Sequence, residues 1–583
     1  MKDEKTHCDV TIRIGGEAGQ GMKVISGLLG KTFLRSGFRV FANHDIMSRI
    51  RGGHNFSQIR LSHSPVRAPS SQVDILICLD ENTLNLYEEE ISGVIIYDRD
   101  KAGRKAPAGE KYLPVPLERI AVEKGGDARM ANSVASGAAL AVLGFPLDPL
   151  LDLLAETFGS KGEKVVEANK ECARAGHEAA VQGYGGHKLC PDSPAEKGPG
   201  RMLISGSEAM AMGAIASNVR FYSGYPMSPA TPIMEFLAAR QKDLGLIVEQ
   251  AEDEISAVNM VIGASFCGAR AMVATSGGGL ALMVEGISLA GMTETPLVIV
   301  DCQRPAPATG LPTRTEQADL LFVAHCAHGE FPRVIFAPAT AGEAFYLTNK
   351  AFDLAEKYQI PVFVLGDQFL NDSSWTEEPF DLGKIRRERH GLVSEKDLEA
   401  LSPYQYKRYA ITESGISPRI LPGTTGQVLY ADSDEHTEEG HITESADVRR
   451  DMVNKRLGKL AGLKNEMSPP RIFPDERAGS YVVSWGSTLG AVEEAVGRLR
   501  ATEGLDIGFI HFSEVYPLGE DAIPPALREK AEFIAVENNA TGQFARLLRM
   551  ETGLNIEKRI LKFDGRPFSG EKLARAIAKR KGG

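Results

Sequence analysis

Between Ser223 and Thr315 the chain carries four groups of residues whose types suit a single piece of chemistry. In SGYPMSPATP, Tyr225 and Ser228 offer hydroxyls beside Pro226 and Pro229, whose fixed φ excludes a helix until the second proline has passed. A hydroxyl held so stiffly bonds a carboxylate or carbonyl with little loss of entropy. Glu254, in EDEISAVNMVIGASFCGARA, begins an apolar helix lined by Ala257, Gly263 and Ala264. A carboxylate at the start of such an apolar, small-residue helix is a candidate buried acid at a cofactor site. Glu249, Glu252 and Asp253 compete with it, since most such acids are solvated or cap a helix. ATSGGGLALMVEG adds a glycine-rich turn after a short strand, and DCQRPAPATGLPTRTEQADL sets Arg304, Thr309, Thr313 and Arg314 after the apolar run LVIV. Arginine presents a planar fork to a carboxylate, and open α/β sheets bind ligands at the carboxyl ends of their strands.

A second constellation lies near the amino terminus. GGEAGQG, with Gly15, Gly16, Gly19 and Gly21, falls between the strand-like VTIRIGG and the helical MKVISGLLGKTFLRSG. Backbone amides in such a turn attract phosphate. The spacing departs from GxGxxG and no acidic ribose partner stands out at the end of the next strand, so a dinucleotide site is weakly supported, and a tight turn serves the glycines equally well. Downstream, SRIRGGHNFSQIRLS adds Arg49, Arg51 and His54 in a loop-and-strand pattern. DSDEHTEEGH, from Asp432 to His441, lacks a diagnostic ligand spacing and reads as a charged loop rather than a metal site.

The elements that must position these residues alternate strand and helix. Residues 1–185 read as a Rossmann-like α/β domain built on a βαβ unit. Residues 186–200, dense in Gly and Pro, form a linker, and the pattern resumes over 201–370. Residues 371–475 are charged and poor in strand pattern; they are expected to be an excursion with one helix, covering the active site or a subunit interface. Residues 476–583 return to α/β alternation.

At 583 residues the chain exceeds one core, and its net charge of -11 argues against general nucleic-acid binding. No apolar run reaches the roughly 18 residues of a membrane helix and the start has no signal-peptide core, so a cytoplasmic location is expected. Seven dilute cysteines fit a reducing compartment better than a disulfide framework. None forms a CxxC pair, so an iron–sulfur cluster is expected on a partner.

In their order, these motifs resemble the alpha subunit of 2-oxoacid:ferredoxin oxidoreductases, most closely the 2-oxoglutarate type with a gamma-like domain fused ahead. Tyr225, Pro226 and Pro229 match the family's YPxTP with Ser228 replacing threonine, Glu254 matches E-x-x-A…GA, and Arg304 to Thr313 nearly match R-x-x-P-x-T-G-x-P-T, with Ala308 for a common serine. The resemblance implies a gamma-type domain, a pyrimidine-type thiamine diphosphate domain at 201–370 and a transketolase C-terminal-like domain at 476–583. It implies that Glu254 bonds N1′ of the thiamine aminopyrimidine, that Tyr225, Ser228, Arg304 and Thr313 contact the 2-oxoacid, and that Gly15, Gly16, Gly19, Gly21, Arg49 and Arg51 face coenzyme A. The EH-x-E-x-G pattern around His436 fits 2-oxoglutarate-type subunits, and VENNATGQFARLL near Glu537 fits the terminal domain in a structural or interface role.

The implied reaction is coenzyme A-dependent oxidative decarboxylation of a 2-oxoacid with ferredoxin as acceptor, or its reverse. A beta subunit would carry Mg²⁺, the diphosphate motif and the [4Fe–4S] cluster, in a dimer of alpha–beta pairs, with room for a ferredoxin-like delta subunit. Pyruvate, a branched-chain or an aryl oxoacid is the alternative substrate. A dinucleotide-dependent oxidoreductase and a non-catalytic assembly subunit are the alternatives of other classes.

Overall fold

The computed structural model describes residues 8–49, 52–101, 109–186, 188–190, 200–393, 396, 405–423, 426–474 and 478–581. The chain folds as two compact units. The first is formed by Met1–Ile204, Asp372–Pro379 and Phe568–Leu573, the second by Ser205–Asn371, Phe380–Pro567 and Ala574–Gly583. Among the described residues no helix is long and apolar enough to cross a membrane.

The first unit is built on an eight-stranded sheet in the order Tyr112–Pro114, Ile91–Tyr97, Val73–Cys78, Asp9–Glu17, His54–Ser62, Arg39–Asp45, Ser374–Glu377, Met202–Ser205. Asp9–Glu17 is buried on both faces, with Ile12 and Ile14 fully enclosed, which suits a central strand. The expected βαβ unit needs one change. Asp9–Glu17 and Arg39–Asp45 are not neighbours, because His54–Ser62 lies between them and pairs antiparallel with both. Strand alternation reports which residues face inward but not which strand is adjacent, so the insertion was invisible in the sequence. Met202–Ser205 and Ser374–Glu377, assigned from sequence to the second domain and the excursion, extend this first sheet instead.

Helices cover the sheet through regular apolar faces. Met22–Arg35 buries Ile25, Leu29 and Phe33, spaced one turn apart. Ala131–Leu143 and Glu163–Gly183 meet so closely that a Cβ at Gly137 would lie 2.1 Å from the Ala173 carbonyl oxygen, and one at Gly176 would lie 2.1 Å from that of Val134. Among the cysteines, Cys8 and Cys190 are joined by a disulfide across 182 residues, a single bond rather than a framework, and Cys78, Cys172, Cys267, Cys302 and Cys326 take part in none. The Leu189 and Cys190 amides donate to the Val142 and Leu143 carbonyls, which holds this segment against the end of the helix Ala131–Leu143 in a way no local spacing announces.

The second unit contains two sheets that share one core. The seven-stranded sheet runs Glu514–Tyr516, Val334–Phe336, Pro361–Asp367, Leu297–Gln303, Ala271–Thr275, Phe221–Gly224, Ile247–Gln250, and the five-stranded one Arg471–Phe473, Ile507–Phe512, Ser480–Trp485, Glu532–Glu537, Lys558–Leu561. Val273 and Ile299 of the first sheet pack in one cluster with Val483 and Ile510 of the second and with Phe544 of the helix Gln543–Thr552. Glu514–Tyr516 crosses over to pair antiparallel with Val334–Phe336. Segments 201–370 and 476–583, separate in the sequence reading, are thus fastened by a common core and a shared strand.

The chain order makes a switch point in the larger sheet. From Phe221–Gly224 it moves outward to Ile247–Gln250, then back across to Ala271–Thr275 and Leu297–Gln303. The loops after Gly224 and Thr275 therefore diverge, leaving a crevice at the carboxyl ends of those strands.

The excursion goes to the opposite edge. Arg408 donates to the Glu294 carbonyl and to Gln359, Arg389 to the Gly268 carbonyl, and Lys459 of the helix Ala446–Glu466 to the Gln359 carbonyl. Gly268, Glu294 and Gln359 each precede a strand, so the described part of this segment braces the amino-terminal edge of the sheet rather than covering the crevice.

Candidate active site

Asp253 is the N-cap of the helix Glu254–Phe266, its side chain accepting from the Ser256 amide at 2.7 Å. With the cap in place the next residue turns inward: Glu254 is 3% exposed, and its Oε1 has no hydrogen-bond partner. Glu249 and Glu252 are exposed. The four neighbouring acids are thus sorted by geometry into one cap, two solvated groups and one buried carboxylate. Leaving a buried acceptor unmade costs roughly 1–3 kcal/mol, more for a charge, so such a group marks a place where a ligand atom completes the set.

The glycine turn forms the roof of this carboxylate. Gly277–Met292 is a helix beginning directly after the strand Ala271–Thr275. A Cβ at Gly279 would lie 2.1 Å from Thr275 Oγ1 and 2.7 Å from Glu254 Oε1, so the helix packs this closely on the carboxylate only with glycine there. Across the crevice Met227, from the proline-bounded loop, receives the Ser276 hydroxyl at 2.7 Å through its sulfur. Ser228 is exposed and its carbonyl accepts from Arg304 Nη1 at 2.7 Å, joining the loop after Phe221–Gly224 to the loop after Leu297–Gln303. Tyr225 is 42% exposed at the same mouth. Arg304 and Thr313 are both half-buried. Their loop closes through Gly310, at φ 54, where a Cβ would come 1.8 Å from the Pro305 carbonyl oxygen. The structure therefore gathers Glu254, Ser228 and Arg304, from three separated motifs, around one crevice.

Several residues of this site were not singled out from sequence. Thr275, Ser276 and Met227 lack a distinctive type. Asp301 is fully enclosed with both carboxylate oxygens unpartnered, and burial together with the nearby Asp319 pushes it well above the ordinary carboxylate range. Burial pushes Asp319 up to about 6, with Arg304 pulling the other way. Gln317 is fixed by the last segment: its backbone amide donates to the Asn538 carbonyl, its side-chain oxygen accepts from the Asn538 amide, its side-chain amide donates to the Trp485 carbonyl, and the Asn539 side chain donates to the Gln317 carbonyl. Gln543 holds Ala318 and Leu321 in the same way. The ENNATGQ motif thus clamps the loop that follows Arg304. Glu537 anchors the clamp, accepting from Trp485 Nε1, Asn539 and the Phe544 and Ala545 amides at the start of Gln543–Thr552.

In the first unit, the pairing of Glu17 with His54 brings the GGEAGQG loop beside the loop that ends in Gly52 and Gly53. Gly19 and Gly21 have φ near 93 and 81, and Gln20 folds back to accept from the Glu17 amide at 2.7 Å. A cavity of about 210 Å³ opens against Gly19 and Gln20, lined also by Lys101, Arg129 and Asn132. Gly15 and Gly16 are packing positions: a Cβ would come 2.5 Å from Thr83 and 2.4 Å from Gln20 respectively. Arg49 is exposed and does not line that cavity, and Arg51 lies outside the described residues.

The EH-x-E-x-G segment is a folded clasp. Glu435 pairs with Arg449 and Arg456, His436 packs against Tyr409 with ring centroids 4.0 Å apart and the rings tilted by 45°, and Glu438 pairs with Lys407. Among the described residues no group of three or more His, Cys, Asp or Glu is arranged to hold a metal ion.

Residues 11–179 match the pyruvate ferredoxin/flavodoxin oxidoreductase family model, and residues 212–455 match the thiamine diphosphate-binding domain of pyruvate flavodoxin/ferredoxin oxidoreductases. Fold and site therefore define a protein of the 2-oxoacid oxidoreductase class. A 2-oxoacid:ferredoxin oxidoreductase subunit alpha from Sulfolobus is 31% identical over 97% of this chain and 96% of its own length. This chain belongs to the family of 2-oxoacid:ferredoxin oxidoreductase alpha subunits. The 2-oxoglutarate synthase subunit KorA of Methanothermobacter thermautotrophicus is 32% identical over 65% of this chain and 98% of its own. The solved 2-oxoglutarate:ferredoxin oxidoreductase from Magnetococcus marinus, with 2-oxoglutarate, coenzyme A and succinyl-CoA bound, superposes with a TM-score of 0.90 at 29% identity, over 98% of this chain and 99% of that one.

Proposed function

We propose that this chain provides the aminopyrimidine side of a thiamine diphosphate site and the carboxylate-binding side of a 2-oxoglutarate site, in a coenzyme A-dependent, ferredoxin-reducing enzyme completed by a beta subunit. The observation that carries this reading is Glu254 Oε1, enclosed without a partner beneath Gly279. The residues fit the cofactor: a buried carboxylate oxygen lacks a hydrogen-bond partner, and the residue packed above it has no side chain. When bound, thiamine diphosphate supplies the electron sink for decarboxylation. Glu254 holds a proton at N1′ of the aminopyrimidine, and the capped helix fixes its direction. Arg304, steadied by the Ser228 carbonyl, takes the substrate carboxylate, with the Ser228, Tyr225 and Thr313 hydroxyls at the mouth.

The choice of 2-oxoglutarate over other oxoacids is supported by the names of the KorA relatives and of the Magnetococcus enzyme. Coenzyme A is assigned to the first unit, its phosphates toward Gly19, Gly21, Lys101 and Arg129, with Arg49 and Arg51 at the neighbouring loop. A beta subunit is supported by the apolar surface near the crevice, where Tyr225, Ile255, Met260 and Leu282 are between 42% and 51% exposed. Apolar side chains gathered near a half-built site are an interface signature. On this reading Mg²⁺ and the [4Fe–4S] cluster belong to that partner, and the assembly works in the cytoplasm.

The test is to purify the chain with and without the beta subunit and follow viologen reduction with 2-oxoglutarate, pyruvate and a branched-chain oxoacid. Only the complex should react, with 2-oxoglutarate preferred. Arg304→Ala should raise KM for the oxoacid roughly ten- to hundredfold, from loss of a charge-assisted bond of about 1.5–3 kcal/mol, and leave KM for coenzyme A unchanged. Oxoacid oxidation by the chain alone, or an unchanged KM in folded Arg304→Ala complex, contradicts the assignment.

A further inference from the structure

Two carboxylates that the reading above leaves unused lie directly under the crevice. Asp301 is in the strand Leu297–Gln303, opposite Thr275, fully enclosed and with neither oxygen bonded. Asp319 rests on the same strand two residues further on, its amide donating to Gln303 Oε1 at 3.1 Å. Its carboxylate packs against the first turn of Gly277–Met292, with Oδ2 2.5 Å from where a Cβ of Gly277 would be. Asp319 is thus wedged between the glycine roof over Glu254 and the loop of Arg304, and Gln317, two residues earlier, is clamped by Asn538 and Asn539. A side chain so tightly held does not move to follow a ligand. What it can change is its charge.

We propose that Asp319 is a positioning residue acting through Arg304, its carboxylate a fixed counter-charge that weakens the guanidinium's hold on the substrate carboxylate. Asp301, with no donor near it, stays protonated and leaves the charge of the pair to Asp319. The groups that face Asp319 are Asp301 and Arg304 from one strand and the loop after it, and Glu316 from its own segment; Glu316 is itself pushed up to about 7 by burial, Asp319 and Asp564. Asp319 titrates near 6, while 2-oxoacid carboxylates stay ionised there. Lowering the pH through that range removes the counter-charge and tightens substrate binding, because like charges repel across a site of low polarity.

This inference rests on Arg304 being the carboxylate contact, and the experiment separates the two. In the assembled enzyme, KM for 2-oxoglutarate is measured from pH 5 to 8 in wild type, Asp319→Asn, Glu316→Gln and Arg304→Ala. Wild-type KM is expected to fall several-fold as the pH drops through about 6. Asp319→Asn should have the low KM at every pH, and Glu316→Gln should keep the wild-type dependence. Infrared spectroscopy of the isolated chain at neutral pH should show a protonated carboxylic acid that Asp301→Asn removes and Asp319→Asn keeps. A flat wild-type profile, an Asp319→Asn KM at or above wild type, loss of the profile in Glu316→Gln, or no acid band overturns the proposal. Failure of Arg304→Ala to change KM instead overturns the assignment beneath it.

Discussion

Glu254 and Asp301 are both carboxyl groups sealed inside the second unit with an oxygen left unbonded, and each tells on stability in its own way. For Asp301 the sign follows from its raised folded-state pKa. The folded protein keeps a proton that the unfolded chain releases above the ordinary carboxylate range. Stability is therefore fully present at low pH and declines as the pH rises. Asp301→Asn, neutral at every pH and of the same size, should raise the melting temperature at pH 7 and show little effect near pH 4. A variant equally destabilised at both pH values would mean that Asp301 is ionised and paired in the fold. The sequence could not single out Asp301, since an acid inside LVIVDCQ differs from a solvated one only by what packs above it. Glu254 was legible because its helix carries a run of small and apolar residues and matches E-x-x-A…GA, and the cap geometry supplies the physical reason it differs from Glu249, Glu252 and Asp253. Arg304 was legible through its spacing to the TG turn, whereas Lys101 and Arg129 were not, being brought to the glycine loop only by the sheet.

The elements divide the work between the two edges of the parallel sheet. At the carboxyl edge, the glycine roof exists to leave room. Gly279→Ala should leave the helix formed, since alanine is the better helix residue, but set a methyl against Thr275 and Glu254. An overpacking cost of about 1–3 kcal/mol at that point should weaken thiamine diphosphate binding in the complex at least tenfold. Unchanged cofactor titration with a normal circular dichroism spectrum would show that the space is not the pyrimidine's. At the amino edge, Glu294 is gripped by Lys455 and Lys459, all three essentially inaccessible, and the Coulombic pull of the lysines holds its carboxyl well below the usual range against burial. Glu294→Gln leaves two buried lysines without a counter-ion and should destabilise by about 3–5 kcal/mol. Because this network braces the excursion away from the crevice, the KM values of the folded fraction should not change. The sequence reading had the helix of this excursion but not its destination. Charged residues such as Lys455 and Lys459 look solvated until a carboxylate from another element meets them.

At the level of the whole molecule, α/β alternation was readable throughout because apolar strand runs and helical spacing are local properties. Neighbour relations were not. The inserted strand His54–Ser62, the shared core of residues 205–371 and 478–567, and the Cys8–Cys190 bond all depend on where distant segments meet. On the proposed reading the site is incomplete in one chain: the crevice brings together the buried carboxylate of Glu254 and the guanidinium of Arg304, and large apolar side chains such as Tyr225 and Ile255 are exposed beside it. The account's central claim is that this chain's Glu254 activates the cofactor held across that crevice. Exchange of the thiazolium C2 proton with D₂O, followed by NMR after rapid acid quench, reads that step alone in the reconstituted complex. Glu254→Gln can still bond N1′ but cannot share a proton with it, so exchange should slow by roughly 10²–10⁴ in step with turnover while thiamine diphosphate remains bound. Wild-type exchange in a folded, cofactor-loaded Glu254→Gln complex would contradict the account and reduce Glu254 to a structural carboxylate.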